Sequence, residues 1–167
     1  IIIDNLSTGK KKNLFKNSKF IKLDISKDGF TKKLPKKIDY VFHLAAQSSG
    51  QISFENPLYD FNTNTRATLE LLKWSKDNNI KRFIFTSSMN VYGNVTKNPV
   101  NEKTLTKPIS FYGVGKLTSE KHIQIFSEMG LKSTILRLFN VYGPGQNIYN
   151  LKQGMLSIYL NYLKNNK

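Results

Sequence analysis

The sequence predicts an α/β protein, a parallel sheet with helices packed on both faces. Three observations predict it. Apolar runs of strand length end in small or polar residues: "YVFHLAA" from Tyr40, "KRFIFTSS" from Lys81 and "STILRLFN" from Ser133. Helical apolar periods lie between them, and strands alternating with helices of this length imply parallel crossovers. The run ends also gather polar and small side chains: Asp4, Asn5, Asp24, Ala45, Ala46, Ser87, Ser88 and Asn140. Ligands of such sheets bind at the carboxyl ends of the strands.

The elements follow in order. "IIIDNLSTG" opens inside an apolar run that closes on Asp4, as a strand does, and "FIKLDI" from Phe20 reads as a further strand. Asn56 and Pro57 pair as N-cap and first-turn residue. Leu58, Phe61, Thr65, Leu69 and Leu72 then recur at helical spacing until "KDNN". A second helix runs from about Phe111 through Leu117, Ile123 and Phe126 to a C-terminal Gly130. A third begins near Gly154 or Met155 and carries Ile158, Tyr159 and Leu163.

A chain of 167 residues suits one domain with a real core. Its 39% hydrophobic content is that of a globular protein. No apolar run approaches the ~20 residues that cross a bilayer. The absence of Cys excludes disulfides and thiolate metal sites, and the expected compartment is the cytoplasm. A net charge of +15 raises the question of nucleic acid, with "KKK" from Lys10 and "KKLPKK" from Lys32 as the places to look. Yet the Lys residues are dispersed and only three cations are Arg, a pattern of solvated faces rather than base readout. A non-catalytic, basic nucleic-acid binder is the reading that steep salt dependence would reveal.

Tyr112 and Lys116 stand four residues apart in a helical segment, so they share a face. With 8 Tyr in so Lys-rich a chain, chance alone supplies roughly one such pair, and the surroundings must decide. Taken in order, DNLSTG, LDI, HLAA, FTSSMNVYG, YxxxK and RLFNVYGPGQ resemble the extended short-chain dehydrogenase/reductase family, in particular its NAD-dependent nucleotide-sugar epimerases and dehydratases of the UDP-glucose 4-epimerase type. The resemblance covers nearly the whole chain. It implies a Rossmann-like, doubly wound parallel sheet that lacks the first strand and the glycine-rich turn of the family, and hence an internal piece of an enzyme of roughly 300 residues or more. Residues 1–150 would form a partial NAD-binding domain and 151–167 the start of a sugar-binding region.

The resemblance also implies roles. Ser88, Tyr112 and Lys116 are the expected catalytic residues. Lys116 would lower the phenol's pKa and meet the nicotinamide ribose, while Ser88 would hydrogen-bond the reacting oxygen. NAD would be held by Asp4, Asn5, Ser7, Thr8, Gly9, Asp24, Ile25, Leu44, Ala45, Ala46, Asn64 and Thr86, together with Tyr112 and Lys116. Ser88 and Asn140 would contact a UDP-sugar substrate. Plainer readings stand beside these: Asp24 as a surface counter-charge, Ser88 as a strand-end cap, "NLSTG" as a polar loop, Tyr142 and Pro144 as turn residues. Ala67 and Gly50 depart from the family, which often has Gly and Val there. His43 is read as a packed or hydrogen-bonded residue rather than a ligand, because its companion His122 lies on another element, and no metal is expected. The helix after "HLAA" and the one at Tyr112 would form a homodimer interface. Dehydratases of the family carry Asp-Glu before "VYG", where this chain has Met89 and Asn90, neither able to shuttle a proton at neutral pH. The expected reaction is therefore epimerisation at C4 of a UDP-sugar through a 4-keto intermediate; a dehydratase or reductase of the same family is the alternative.

Overall fold

The computed structural model describes residues 1–96, 98–147, 149 and 154–165. Five strands form: β1 (Ile2–Asp4), β2 (Phe20–Lys22), β3 (Tyr40–His43), β4 (Arg82–Ser88) and β5 (Ser133–Leu138). Every pairing is parallel, so each pair needs a crossover connection. Among the described residues the strands make two open sheets, β1–β2 and β3–β4–β5. The register sets His43 opposite Phe85 and Phe85 opposite Ile135.

The helices begin where side-chain caps place them. Ser49 accepts from Ile52 N at the start of α1 (Gly50–Glu55), which the apolar period does not reveal. Asn56 accepts from Tyr59 N and Pro57 follows in α2 (Pro57–Asp60), as the sequence predicts. The backbone then passes through a π-helical turn, Phe61–Arg66, into α3 (Ala67–Asp77). That turn buries Thr63, Asn64 and Thr65. Ser110 caps α4 (Phe111–Glu128), and Gly130 follows with φ of 96°. The last helix, α5, spans Met155–Lys164. The domain boundary expected at residues 150 and 151 lies outside the described residues.

The core joins α3 and α4 to the inner face of β3–β5. Leu71, Leu72 and Ile123 pack with Phe83 and Phe85, and Val41 and Ile135 lie against them. Phe30, Leu23 and Ile25 join the same cluster, so side-chain packing on α3 ties the first sheet to the second. Among the described residues α3 and α4 cover one face, while Phe42 on the opposite parity is 67% exposed. Alternation along β4 records the same asymmetry: Phe83, Phe85 and Ser87 are buried, whereas Ile84 and Thr86 are half-buried. Ala67 is fully buried, so its methyl fits where the family often has Gly. The tight helix contact is made instead at Gly115, where a Cβ would stand 3.0 Å from Thr65 Oγ1. No described helix is long and apolar enough to cross a membrane.

Candidate active site

The carboxyl ends of β1, β2 and β3 open into one cleft of about 250 Å³. Nine predicted cofactor residues line it: Asp4, Asn5, Ser7, Thr8, Asp24, Ile25, Leu44, Ala45 and Ala46. Gly9 borders it, since a Cβ there would approach both carboxylate oxygens of Asp4 at 3.3 Å. Asp4 Oδ1 accepts from Leu6 N at 2.6 Å. That bond turns the chain back at the end of β1. Burial works against the charge of Asp24, but hydrogen bonds from Ser26 and Asn5, with Lys27 nearby, outweigh it and hold its carboxyl below the usual value. Two carboxylates, two hydroxyls and the apolar walls of Ile25 and Leu44 fit a nucleoside, whose ribose and exocyclic amine donate hydrogen bonds. A larger, more open hollow of about 440 Å³ lies at the other end of the strands, beside Tyr40, Lys81, Arg82 and Lys132, and no predicted site residue lines it.

Because His43 pairs with Phe85, the segments Leu44–Ala46 and Thr86–Ser88 leave the sheet side by side. Thr86 fastens them, its hydroxyl donating to His43 O at 3.2 Å. Onto this edge α4 brings Tyr112 and Lys116, both buried, at 6% and 2% exposure. Ser88 caps the following turn, its hydroxyl accepting from Asn90 N at 3.2 Å, and the same hydroxyl acts to lower the pKa of the Tyr112 phenol. Lys116 Nζ donates to Thr86 O at 2.9 Å and lies 4.7 Å from the Phe85 ring centroid.

The electrostatics differ from expectation at one point. Lys116 stands 5.8 Å from the Tyr112 ring centroid, yet burial pushes the phenol above its ordinary value of 10; the Ser88 hydrogen bond acts downward and Asp60 upward. The ammonium is directed at Thr86 O rather than at the phenol oxygen, which explains why it does not depress the tyrosine. Burial also draws Lys116 down to about 8, with Asp60 opposing.

Asn64 is brought near the site but faces away from the cleft lining. Its Oδ1 accepts from Gln47 N at 3.1 Å, and its Nδ2 donates to Gln47 O at 2.8 Å and Asp60 Oδ1 at 3.0 Å. It shapes the loop after β3. Asn140 lies exposed two residues past β5. His43 is buried and hydrogen-bonds Thr68 at 2.9 Å, a packed residue as expected. Sequence reasoning missed Asp60, Gln47 and the Glu120–Arg137 pair. The signal for Glu120 was its position one helical turn beyond Lys116; Asp60 gave none, because its inward direction depends on the π-helical turn that follows it.

The chain belongs to the NAD dependent epimerase/dehydratase family, whose family model matches residues 1–167. A putative UDP-glucose 4-epimerase of Methanocaldococcus jannaschii is 34% identical over 170 residues, covering 100% of this chain and 55% of that protein. Among solved structures, the UDP-glucose 4-epimerase of Thermotoga maritima with UDP-glucose superposes with a TM-score of 0.87 at 39% identity, over 96% of this chain and 53% of that one. The UDP-N-acetylglucosamine 4-epimerase of Methanobrevibacter ruminantium, in complex with UDP-N-acetylmuramic acid, gives 0.89 at 37% identity, over 99% and 55%. The fold is thus Rossmann-like, and the chain spans about half the length of the relatives it matches.

Proposed function

We propose that this chain carries the catalytic residues of a cytoplasmic UDP-sugar 4-epimerase, which inverts C4 through a transient 4-keto intermediate. The observation that carries the proposal is the buried cluster of Ser88, Tyr112 and Lys116 beside the nucleoside-shaped cleft, with Met89 and Asn90 next to it in place of acids. NAD, when bound, would supply the hydride chemistry. Asp4, Asn5, Ser7, Thr8 and Gly9 hold its adenosine end, with Asp24, Ile25 and Leu44 to Ala46 completing the walls. Tyr112, as phenolate, takes the O4 proton while C4 is oxidised and returns it to the ketone oxygen after the sugar has turned its other face. Ser88 donates to O4, and Lys116, held on Thr86 O, is the residue expected to meet the nicotinamide ribose. Asn140 contacts the sugar diphosphate.

We also propose a homodimer through the face shared by α1–α4. Phe54 and Phe111 meet edge to face there, 5.6 Å between centroids, and Leu58, Phe61, Val114 and Ile125 are exposed around them. A two-fold axis would make such a face self-complementary. Light scattering of the full-length protein and its Val114→Glu variant tests this; an unchanged dimer in the variant refutes it.

The activity test incubates full-length protein and NAD with UDP-galactose and with UDP-N-acetylgalactosamine. An equilibrium mixture with the C4 epimer is expected, and a 4-keto-6-deoxy product overturns the reading. Tyr112→Phe should lower kcat by about 10²–10⁴ while NAD retention and unfolding midpoint stay unchanged.

A further inference from the structure

Asp60 is buried, at 1% exposure, and is absent from the ion pairs formed among the described residues. Two amides fix its carboxylate. Gln47 Nε2 donates at 2.6 Å and Asn64 Nδ2 at 3.0 Å, both to Oδ1. The other oxygen, Oδ2, faces α4, 3.5 Å from where a Cβ on Gly115 would stand. Gly115 immediately precedes Lys116, whose ammonium is buried with one hydrogen bond, to Thr86 O. A buried anion and a buried cation thus lie on either side of one glycine, and the missing side chain at 115 lets the carboxylate approach.

The other charged or titratable groups around Lys116 do not compensate it. His43, from β3, is buried and neutral, with its Nε2 against Thr68. Tyr112, one turn back on α4, presents its ring. Glu120, one turn ahead, is engaged by Arg137 at 2.7 Å and by Ser87 at 2.5 Å. From β4 come only the Phe85 ring and the Thr86 carbonyl. An uncompensated ammonium in such a place tends to lose its proton.

We propose that Asp60 is a positioning residue of the active site: its buried carboxylate is the counter-charge that keeps the Lys116 ammonium charged and seated beside Tyr112. The inference rests on the catalytic role given above to Lys116. Burial raises the Asp60 carboxyl above its usual value, opposed by the Gln47 and Asn64 hydrogen bonds and by Lys116, and Asp60 in turn raises Lys116 against the burial that lowers it to about 8.

Asp60→Asn separates charge from structure. The variant retains an Oδ1 acceptor for both amides and loses only the negative charge. Full-length protein labelled with 15N-lysine reads the protonation of Lys116 directly, the Nζ resonance being assigned by its loss in Lys116→Arg. In Asp60→Asn the titration midpoint should fall by about one pH unit, Asp60→Glu should restore it, and the alkaline limb of the kcat profile should move with it. Asp60→Ser, a second neutral substitution, should shift the midpoint likewise if the Asn variant does not fold. A folded neutral variant with an unmoved Lys116 midpoint overturns the proposal. A shifted midpoint in a protein without epimerase activity upholds the proposal and sinks the proposed reaction instead, so the two failures are distinct.

Discussion

Replacing Arg137 by Met should destabilise the protein far more than loss of an ordinary surface pair. Arg137 reaches from β5 to Glu120 of α4 with Nε at 3.0 and 3.2 Å and Nη2 at 2.7 Å from its carboxylate. The guanidinium also donates to the Tyr92 hydroxyl and Glu102 O, each at 3.2 Å, and lies 5.0 Å over the Tyr92 ring. The hydrogen bonds that Arg137 donates to Glu120 push its pKa upward, so it stays charged at any working pH. The side chains are only 17% and 2% exposed. An exposed pair contributes about 0–1 kcal/mol, but breaking a buried one costs about 3–5 kcal/mol because the remaining charge has no partner. Urea unfolding of full-length protein is the assay. At an m-value of about 2 kcal/mol/M the midpoint should fall by roughly 2 M. Adding Glu120→Gln to Arg137→Met removes the stranded charge and should recover at least about half of the loss. A single-variant effect below about 1 kcal/mol, or a double variant no more stable than the single one, would refute the reasoning.

Two further outcomes follow from the same interior. Burial holds His43 neutral, with its pKa drawn down to about 3 by desolvation first and by Lys116 second. Between pH 6.5 and 3 the unfolded chain therefore binds a proton that the folded chain does not, so stability falls as pH falls through that window, by on the order of 4 kcal/mol at its foot. His43→Leu should flatten that part of the curve, measured by denaturant titration at pH 4 and 7; an unaltered slope excludes His43 as its source. A methyl at Gly113 would stand 2.7 Å from Asn90 O and 2.9 Å from Pro108 Cβ. Gly113→Ala should cost about 1–3 kcal/mol and lower kcat by displacing the adjacent Tyr112 from Ser88; unchanged kcat and midpoint would count against this close packing.

The sequence by itself determined the strands and the main helices. Five apolar runs became five parallel strands because a strand buried on its inner face needs a local run of apolar residues, and that is visible in one dimension. The Asn56–Pro57 start and the Gly130 stop of the helices were legible because capping acts within one turn. The residues expected to hold NAD were named in order along the chain, and nine of them line one cleft.

Only the tertiary structure decided what those residues do to one another. It separated the strands into two sheets, covered one face of the larger, and aimed Lys116 at Thr86 O instead of the phenol. It turned Asn64 from the cleft toward Gln47, and placed Asp60 behind Lys116 through a π-helical turn and a glycine on another helix. These are distances between segments far apart in sequence, and the charge state of a buried group depends on such distances rather than on its neighbours along the chain.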